Sequence, residues 1–209
     1  MDVDLKKHGQ RPYIIAAPMA FAVFFMGFCA SAMLDSTWAL SRHNLSDLGT
    51  GFRNLACALV FDYSCCLAGF LLSMFGVGKY IFEKGLDHIS GIFFVLGGFG
   101  LFLVGVYNAE FLTAHNISAG LFAISMSTAI VLSTVSDIMK GDRFVLYTSI
   151  IILAYLALQW PLFKGALSEC MAIGCATAWF LVQLYKYYKK GALTDYSKLV
   201  GTTDKVSGA

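Results

Sequence analysis

The sequence predicts an all-α membrane protein: a polytopic bundle of six transmembrane helices with both termini in the cytoplasm. Three observations lead there. Of 209 residues, 58% are hydrophobic and only 13% charged, far outside the usage of water-soluble domains. Apolar runs of about 18–25 residues, long enough to cross the hydrocarbon core of a bilayer, recur six times. Finally, the fifteen Lys and Arg divide unevenly between the two sets of connections that six spans create.

The runs fall at 13–34, 55–82, 89–109, 118–139, 144–163 and 167–186. They leave an N-terminal tail at 1–12, a membrane domain at 13–188 and a C-terminal tail at 189–209. The first run follows Lys6, Lys7 and Arg11 and ends near Ala30, Ser31 and Ala32, features shared with a cleavable signal peptide. Because it reaches Leu34, it is long enough to span, and it is expected to stay as the first helix. Asn54 opens the second run, which carries Asp62 about 12 Å below the helix end. Gly91, Gly97, Gly98, Gly100 and Gly105 mark the third, where backbones can approach closely or the helix can loosen. The fourth holds Ser118, Ser125, Ser127, Thr128, Ser133, Thr134 and Ser136, hydroxyls suited to bonds between helices. On the sixth, Ala166, Cys170, Gly174 and Ala178 recur every four residues, a narrow face for a neighbouring helix. Short connections elsewhere predict an up-and-down bundle of antiparallel neighbours.

Orientation follows from charge. The tails and the even connections carry Lys6, Lys7, Arg11, Lys79, Lys84, Lys140, Arg143, Lys186, Lys189, Lys190, Lys198 and Lys205; the odd connections carry Arg42, Arg53 and Lys164. Twelve against three is a positive-inside pattern and sets both termini in the cytoplasm of a multi-pass cell-membrane protein. Lys186, Lys189 and Lys190 among Tyr185, Tyr187 and Tyr188 read as interface anchors that snorkel to headgroups.

The same features exclude several functions. Positive charge confined to a membrane edge attracts anionic lipid, so no nucleic-acid partner is expected. The six cysteines lie inside the runs, form no CxxC pair and read as packing residues. His8, His43, His88 and His115 all lie at run ends or in connections, away from the paired buried positions of a haem bundle. No cofactor is implied. The acids Asp35, Asp47, Asp62, Glu110 and Glu169 outnumber the cations on the odd side, an excess suited to a cation or basic ligand, but no spacing marks a metal site.

Candidate site residues gather on that odd side. The first connection supplies Arg42, His43, Asn44, Ser46 and Asp47, the third supplies Asn108, Glu110 and His115, and the sixth run begins near Glu169. Ser46, His115 and Asp47 contain the residue types of nucleophile, base and orienter. Each also has a plainer reading: Ser46 or Asp47 caps a helix beginning near Leu48, and His115 follows a wet helix end. Asp62 and Glu169 are the buried acids; Asp62 at its depth must pair, protonate or face water, with Arg53, Lys164 or His115 as its expected partner. Near the opposite edge, Asp137 is expected to pair with Arg143, Lys140 or Lys79. Asn44-Leu45-Ser46 and Asn116-Ile117-Ser118 match the glycosylation acceptor pattern.

The run Arg42-His43-Asn44-Leu45-Ser46-Asp47-Leu48-Gly49, with Asn54 and the stretch from Val104 to His115, resembles the signature of a six-span prokaryotic membrane family, the domain of unknown function nine-nine-eight. The resemblance covers nearly the whole chain and is distantly similar in layout to Frag1-type membrane proteins, which are linked to lipid remodelling. It implies that Ser46, Asp47 and His115 form the family's shared polar face. The expected function is binding or modification of a lipid or isoprenoid headgroup at the outer leaflet. There His115 is the acid or base, Asp47 its orienter or a cation ligand, and Arg42 the headgroup clamp, with Glu110 and Asn108 alongside. The alternative is a non-catalytic subunit of a larger membrane complex, suggested by the small-residue face and a scarcity of buried ionisable groups. A channel using Asp62 and Glu169 is a third reading.

Overall fold

Six helices follow one another without a strand among the described residues, which in this computed structural model are residues 2–162 and 165–189. They are α1 (Asp2–Leu34), α2 (Leu55–Phe82), α3 (Leu86–Val106), α4 (Leu112–Met139), α5 (Arg143–Leu162) and α6 (Gly165–Lys189). Lys164 and all of the expected C-terminal tail except Lys189 lie outside the described residues. Five helices are long and apolar enough to cross a membrane; α5 offers the shorter apolar stretch Arg143–Tyr155 among the described residues. The expectation of six spans is therefore met by five on length and composition.

Each helix packs against its neighbours in sequence, and α6 also meets α1. This up-and-down arrangement gathers the connections at two ends. One, the loop end, holds the α1–α2, α3–α4 and α5–α6 connections. The other, the lysine end, holds the α2–α3 and α4–α5 connections, the start of α1 and the end of α6.

The α2–α3 pair is the tightest because glycine removes the side chains between two backbones. A Cβ at Gly98 would lie 2.5 Å from the Gly69 carbonyl oxygen, and one at Gly91 would lie 2.8 Å from that of Gly76. Gly91, Gly98 and Gly105 recur every seven residues and face α2 at each step, so the glycine-rich third span brings helices together. Helix contact in lipid depends on such packing, since hydrocarbon supplies no hydrophobic drive between helices.

An aromatic core joins α6 to this pair. Trp179 and Phe94 are fully buried, and Phe75, Phe94 and Phe180 stack edge-on with centroids 5.1–5.5 Å apart. Such edge-to-face contacts suit the ring quadrupoles and each add about 0.5–1.5 kcal/mol beyond burial.

Helix ends depart from the runs where polar residues are satisfied inside the bundle. α3 begins at Leu86 and α4 at Leu112, three and six residues before the hydropathy pattern predicts. The added turns carry Asp87 and His115, which are both buried and bonded. α1 continues through Pro12 back to Asp2; each proline forfeits one main-chain bond, a loss that helices in membranes tolerate.

Candidate functional site

The loop end is built on a hydrogen-bonded first connection. Asn54 caps α2, accepting from the Cys57 amide at 3.2 Å, and its side-chain amide donates to the Leu34 carbonyl at 2.9 Å. One residue thus ties the last turn of α1 to the first of α2. Between them, Leu45–Gly49 forms a short 3-10 helix that starts three residues before the helix start expected near Leu48, so Ser46 and Asp47 lie inside it. Asp47 sits inside it and accepts from the Asn44 amide at 2.9 Å. The carboxylate therefore caps from within the turn, where it satisfies a free N–H and favours the positive end of the helix.

Other connections dock onto this segment. Glu169 of α6 accepts from the Leu45 amide at 2.7 Å, and the Ala166 amide donates to the His43 carbonyl at 2.7 Å. Gly165 has φ +64, a left-handed conformation, and a Cβ there would lie 2.9 Å from the same carbonyl; glycine is required on both counts. From the third connection, Glu110 accepts from the Phe52 amide at 3.3 Å, while Asn108 caps the turn Ala109–Phe111 by accepting from the Glu110 amide at 3.2 Å. Asp62 is partly buried and lies against Gly49, where a Cβ would approach its Oδ1 to 2.5 Å.

These contacts explain the excess of acid at this end. Asp35 pairs with Arg53 at 3.2 Å and accepts from the Thr37 hydroxyl at 2.6 Å. The Thr37 hydroxyl, with its amide and the Arg53 guanidinium in support, holds the Asp35 carboxyl below the ordinary range despite burial. Asp47, Glu110 and Glu169 each accept from a main-chain amide. Four acids thus hold a loop whose N–H groups have no ladder to join. Arg53 pairs with Asp35 and not with Asp62.

His115 lies in the first turn of α4, not in a loop. Its Nδ1 is 2.8 Å from the Tyr107 carbonyl oxygen; a carbonyl only accepts, so Nδ1 carries the proton. His43 has the opposite arrangement, its Nδ1 accepting from the Ala39 amide at 3.0 Å. Arg42 is exposed and Ser46 half-buried. Among the described residues no hydrogen bond joins Ser46, Asp47 and His115 to one another, and no three His, Cys, Asp or Glu side chains gather as a metal cage would need. The main chain, not a triad, orients Asp47 and His115.

A second polar cluster, at the lysine end, escaped the sequence pattern. Asp87 of α3 bonds Lys79 of α2 at 2.5 Å, Lys140 after α4 at 2.5 Å and Ser136 of α4 at 2.7 Å. Lys79 also donates to Ser133 at 2.8 Å, and Ser133 donates to Ser90 at 3.0 Å. Alongside, Asp137 pairs with Lys186 and accepts from Gln183 at 2.9 Å, not with the expected Arg143, Lys140 or Lys79. Lys186 is buried rather than snorkelling. Ionisable groups are therefore not scarce inside this bundle. Lys79 beside Ser133 has the partner types of a serine–lysine dyad, but Asp87 Oδ1 engages the Lys79 Nζ at 2.5 Å and both side chains are buried. Lys140 shows the same coupling: partial burial works against its charge, yet the Asp87 carboxylate raises its pKa above the ordinary lysine value. The fourth-span hydroxyls divide accordingly: Ser133 and Ser136 bond across helices, whereas Ser118 and Thr128 bond back within α4. The one sequence signal was the i, i+3, i+4 spacing of Ser133, Ser136 and Asp137.

Between α1 and α6 an apolar cleft of about 480 Å³ opens below the loop end, lined by both helices and by Leu45. The small-residue stripe of α6 faces it: Gly174 is exposed, and a Cβ there would meet nothing within 4 Å. The close helix approach expected on that stripe is absent at Gly174.

Long apolar helices, a main chain satisfied within them and polar groups collected at two ends define a multi-pass integral membrane protein. Its family is equally plain. Residues 15–184 match the family model described as "Protein of unknown function (DUF998)", and the chain belongs to that family. No curated protein and no solved structure matches the chain.

Proposed function

We propose that the loop end binds the headgroup of a membrane lipid or isoprenoid at the outer leaflet, with His115, Asp47 and Ser46 as its polar floor and Arg42 as the clamp. One observation carries this reading. Main-chain contacts occupy one atom of each group, Nδ1 of His115, Oδ2 of Asp47 and Oε1 of Glu110, so the second polar atom of each is oriented without being consumed. A pre-oriented site of this kind spends little ordering entropy on binding. Exposed Arg42 adds a planar guanidinium that matches phosphate oxygens two at a time. Any chemistry falls to Nε2 of His115, the nitrogen left with a lone pair when Nδ1 donates to the Tyr107 carbonyl. The outward orientation follows from the charge asymmetry of the connections.

The test uses the full chain in nanodiscs with phosphatidic acid as the probe. His115→Asn and Asp47→Asn each keep a group able to make the observed main-chain bond, so helix protection from amide exchange should match wild type. Lipid retention should fall at least tenfold in each. Undiminished retention in both variants would remove the site assignment, and a stoichiometric protein partner in mild detergent, with no lipid retained, would favour the subunit reading instead.

A further inference from the structure

A proton changes the bonds of a histidine in a way that depends on which ring nitrogen is already engaged. Neutral imidazole offers one N–H donor and one lone pair, whereas imidazolium offers two donors and no lone pair. His88 and His115 each place Nδ1 against a carbonyl oxygen, that of Tyr80 at 2.6 Å and that of Tyr107 at 2.8 Å. In both, Nδ1 donates, so a proton added at Nε2 leaves the bond in place and gives it the strength of a charged donor. His43 is built the other way round. Its Nδ1 accepts from the Ala39 amide at 3.0 Å, and among the described side chains it is the one histidine whose native bond consumes the lone pair.

That bond closes a short turn that ends on a docking contact. The Ala39 carbonyl accepts from the amides of Arg42 at 3.0 Å and His43 at 3.1 Å, so His43 holds Ala39 by main chain and ring together. The His43 carbonyl in turn accepts from the Ala166 amide at 2.7 Å, one of the N–H groups that a helix start leaves without an acceptor inside the helix. Ala166 is fully buried. Gly165 lies so close that a Cβ there would come within 2.9 Å of the His43 carbonyl oxygen. The carbonyl therefore has little freedom to turn and still meet Ala166.

We propose that His43 is a pH-sensitive latch on α6: a proton taken up at Nδ1 breaks the bond to the Ala39 amide and draws the His43 carbonyl away from the start of the helix. The proton comes from solvent, which reaches the half-buried ring, and it forms an N–H bond with the Nδ1 lone pair. Two N–H groups then point at each other across 3.0 Å, the ring turns away, and the main chain at His43 turns with it. The bond from the Leu45 amide to Glu169 does not involve the ring, so the first turn of α6 loosens without the helix leaving the bundle. The latch concerns how α6 is held and stands independently of the headgroup reading.

The charged and titratable groups around the turn are Arg42, Asp47, Asp35 and Arg53 on the first connection and Glu169 and Cys170 on α6. Carboxylates as a class titrate at about pH 4 and thiols at about pH 8.5, whereas imidazoles take up a proton between about pH 8 and 5. A step inside that interval therefore belongs to a histidine, and variants assign which one.

The experiment measures amide exchange at Ala166, normalised to the unstructured rate, on the full-length protein in nanodiscs at about pH 7.5 and 5. Wild type should lose protection there by about tenfold or more at the lower pH, and the loss should share its midpoint with the titration of the His43 ring followed by NMR. Protection of the Thr37 amide, which rests on Asp35, should hold across the same interval. His43→Asn, whose carboxamide oxygen reaches the place of Nδ1 and takes no proton, should keep the full protection at both pH values. His88→Asn and His115→Asn should still show the step. Equal protection of Ala166 at the two pH values in wild type overturns the latch, as does a step that persists in His43→Asn. If His43→Asn folds poorly, wild type decides alone: a His43 ring that titrates apart from the loss of protection at Ala166 overturns the latch.

Discussion

Lys79 Nζ and Asp87 Oδ1 meet 2.5 Å apart across the α2–α3 connection, with each side chain 2% exposed. Eight residues separate them in sequence, and the tight antiparallel turn makes them neighbours in space. Taking both charges out of water is costly, and their attraction offsets that cost only because Ser133, Ser136 and Lys140 complete the shell.

The pair therefore predicts an asymmetry between single and double substitution. Asp87→Leu leaves the Lys79 ammonium buried without its counter-ion and should cost about 3–5 kcal/mol. Lys79→Met should cost a similar amount by stranding Asp87, less what Lys140 recovers. The double variant should regain most of the loss, because two apolar side chains have no charge to desolvate. Unfolding in mixed micelles as the denaturing detergent fraction rises would measure all three. Additive losses in the double variant would show that the pair is not coupled.

Asp137 and Lys186 perform the corresponding task for α6. The α5–α6 hairpin meets the rest of the bundle through this pair and Gln183 at one end, through Trp179 and Phe180 in the aromatic core, and through Glu169 and Ala166 at the other end. Asp137→Asn should loosen the lysine end of α6 selectively. Amide exchange is expected to speed up over the last two turns of α6 and to stay unchanged across α2 and α3, whose glycine contact is independent of it. Uniform acceleration would instead mean that Asp137 supports the whole bundle.

Much of this was legible beforehand and some was not, for physical reasons. The second run, 55–82, coincides with α2 because Asn54 marks its start and only apolar residues follow for two turns. Alternate connections had to share an end once the spans were antiparallel, and the bonds from Glu169 to Leu45 and from Glu110 to Phe52 show that they do. The lysine cluster was hidden because a lysine at a helix end has the same hydropathy whether it snorkels or pairs. Its partners lie 8 to 54 residues away, beyond any local pattern. Similarly, the stripe on α6 marks a face that can approach another helix, but not whether one does.

Glycine offers a comparison within one protein. Gly98→Ala places a Cβ 2.4 Å from Ser73 Oγ and 2.5 Å from the Gly69 carbonyl oxygen, so α2 and α3 must separate; overpacking of this kind costs about 1–3 kcal/mol. Gly120→Ala on α4 meets nothing within 4 Å and should stabilise by about 0.5–1 kcal/mol through reduced backbone freedom in the unfolded chain. The two variants should move the unfolding midpoint in opposite directions.

Asp35 gives the first connection a dependence on acid. Its carboxylate accepts from the Thr37 hydroxyl and amide and pairs with Arg53, which holds its pKa below the ordinary value. A carboxyl depressed on folding contributes stability that is fully present above its unfolded value, about pH 4, and is lost as pH falls through the lower folded value. The loop should therefore keep its protection at pH 5 and loosen below about pH 4, with the change centred on 37–53, where Arg53 also bonds Thr37 at 3.0 Å. Amide exchange normalised to the unstructured rate at each pH would follow it. Asp35→Asn should start with weaker protection and show no step across that window, because its amide accepts from Thr37 but carries no charge to titrate. A step that persists in the variant would assign the acid response to a different carboxyl.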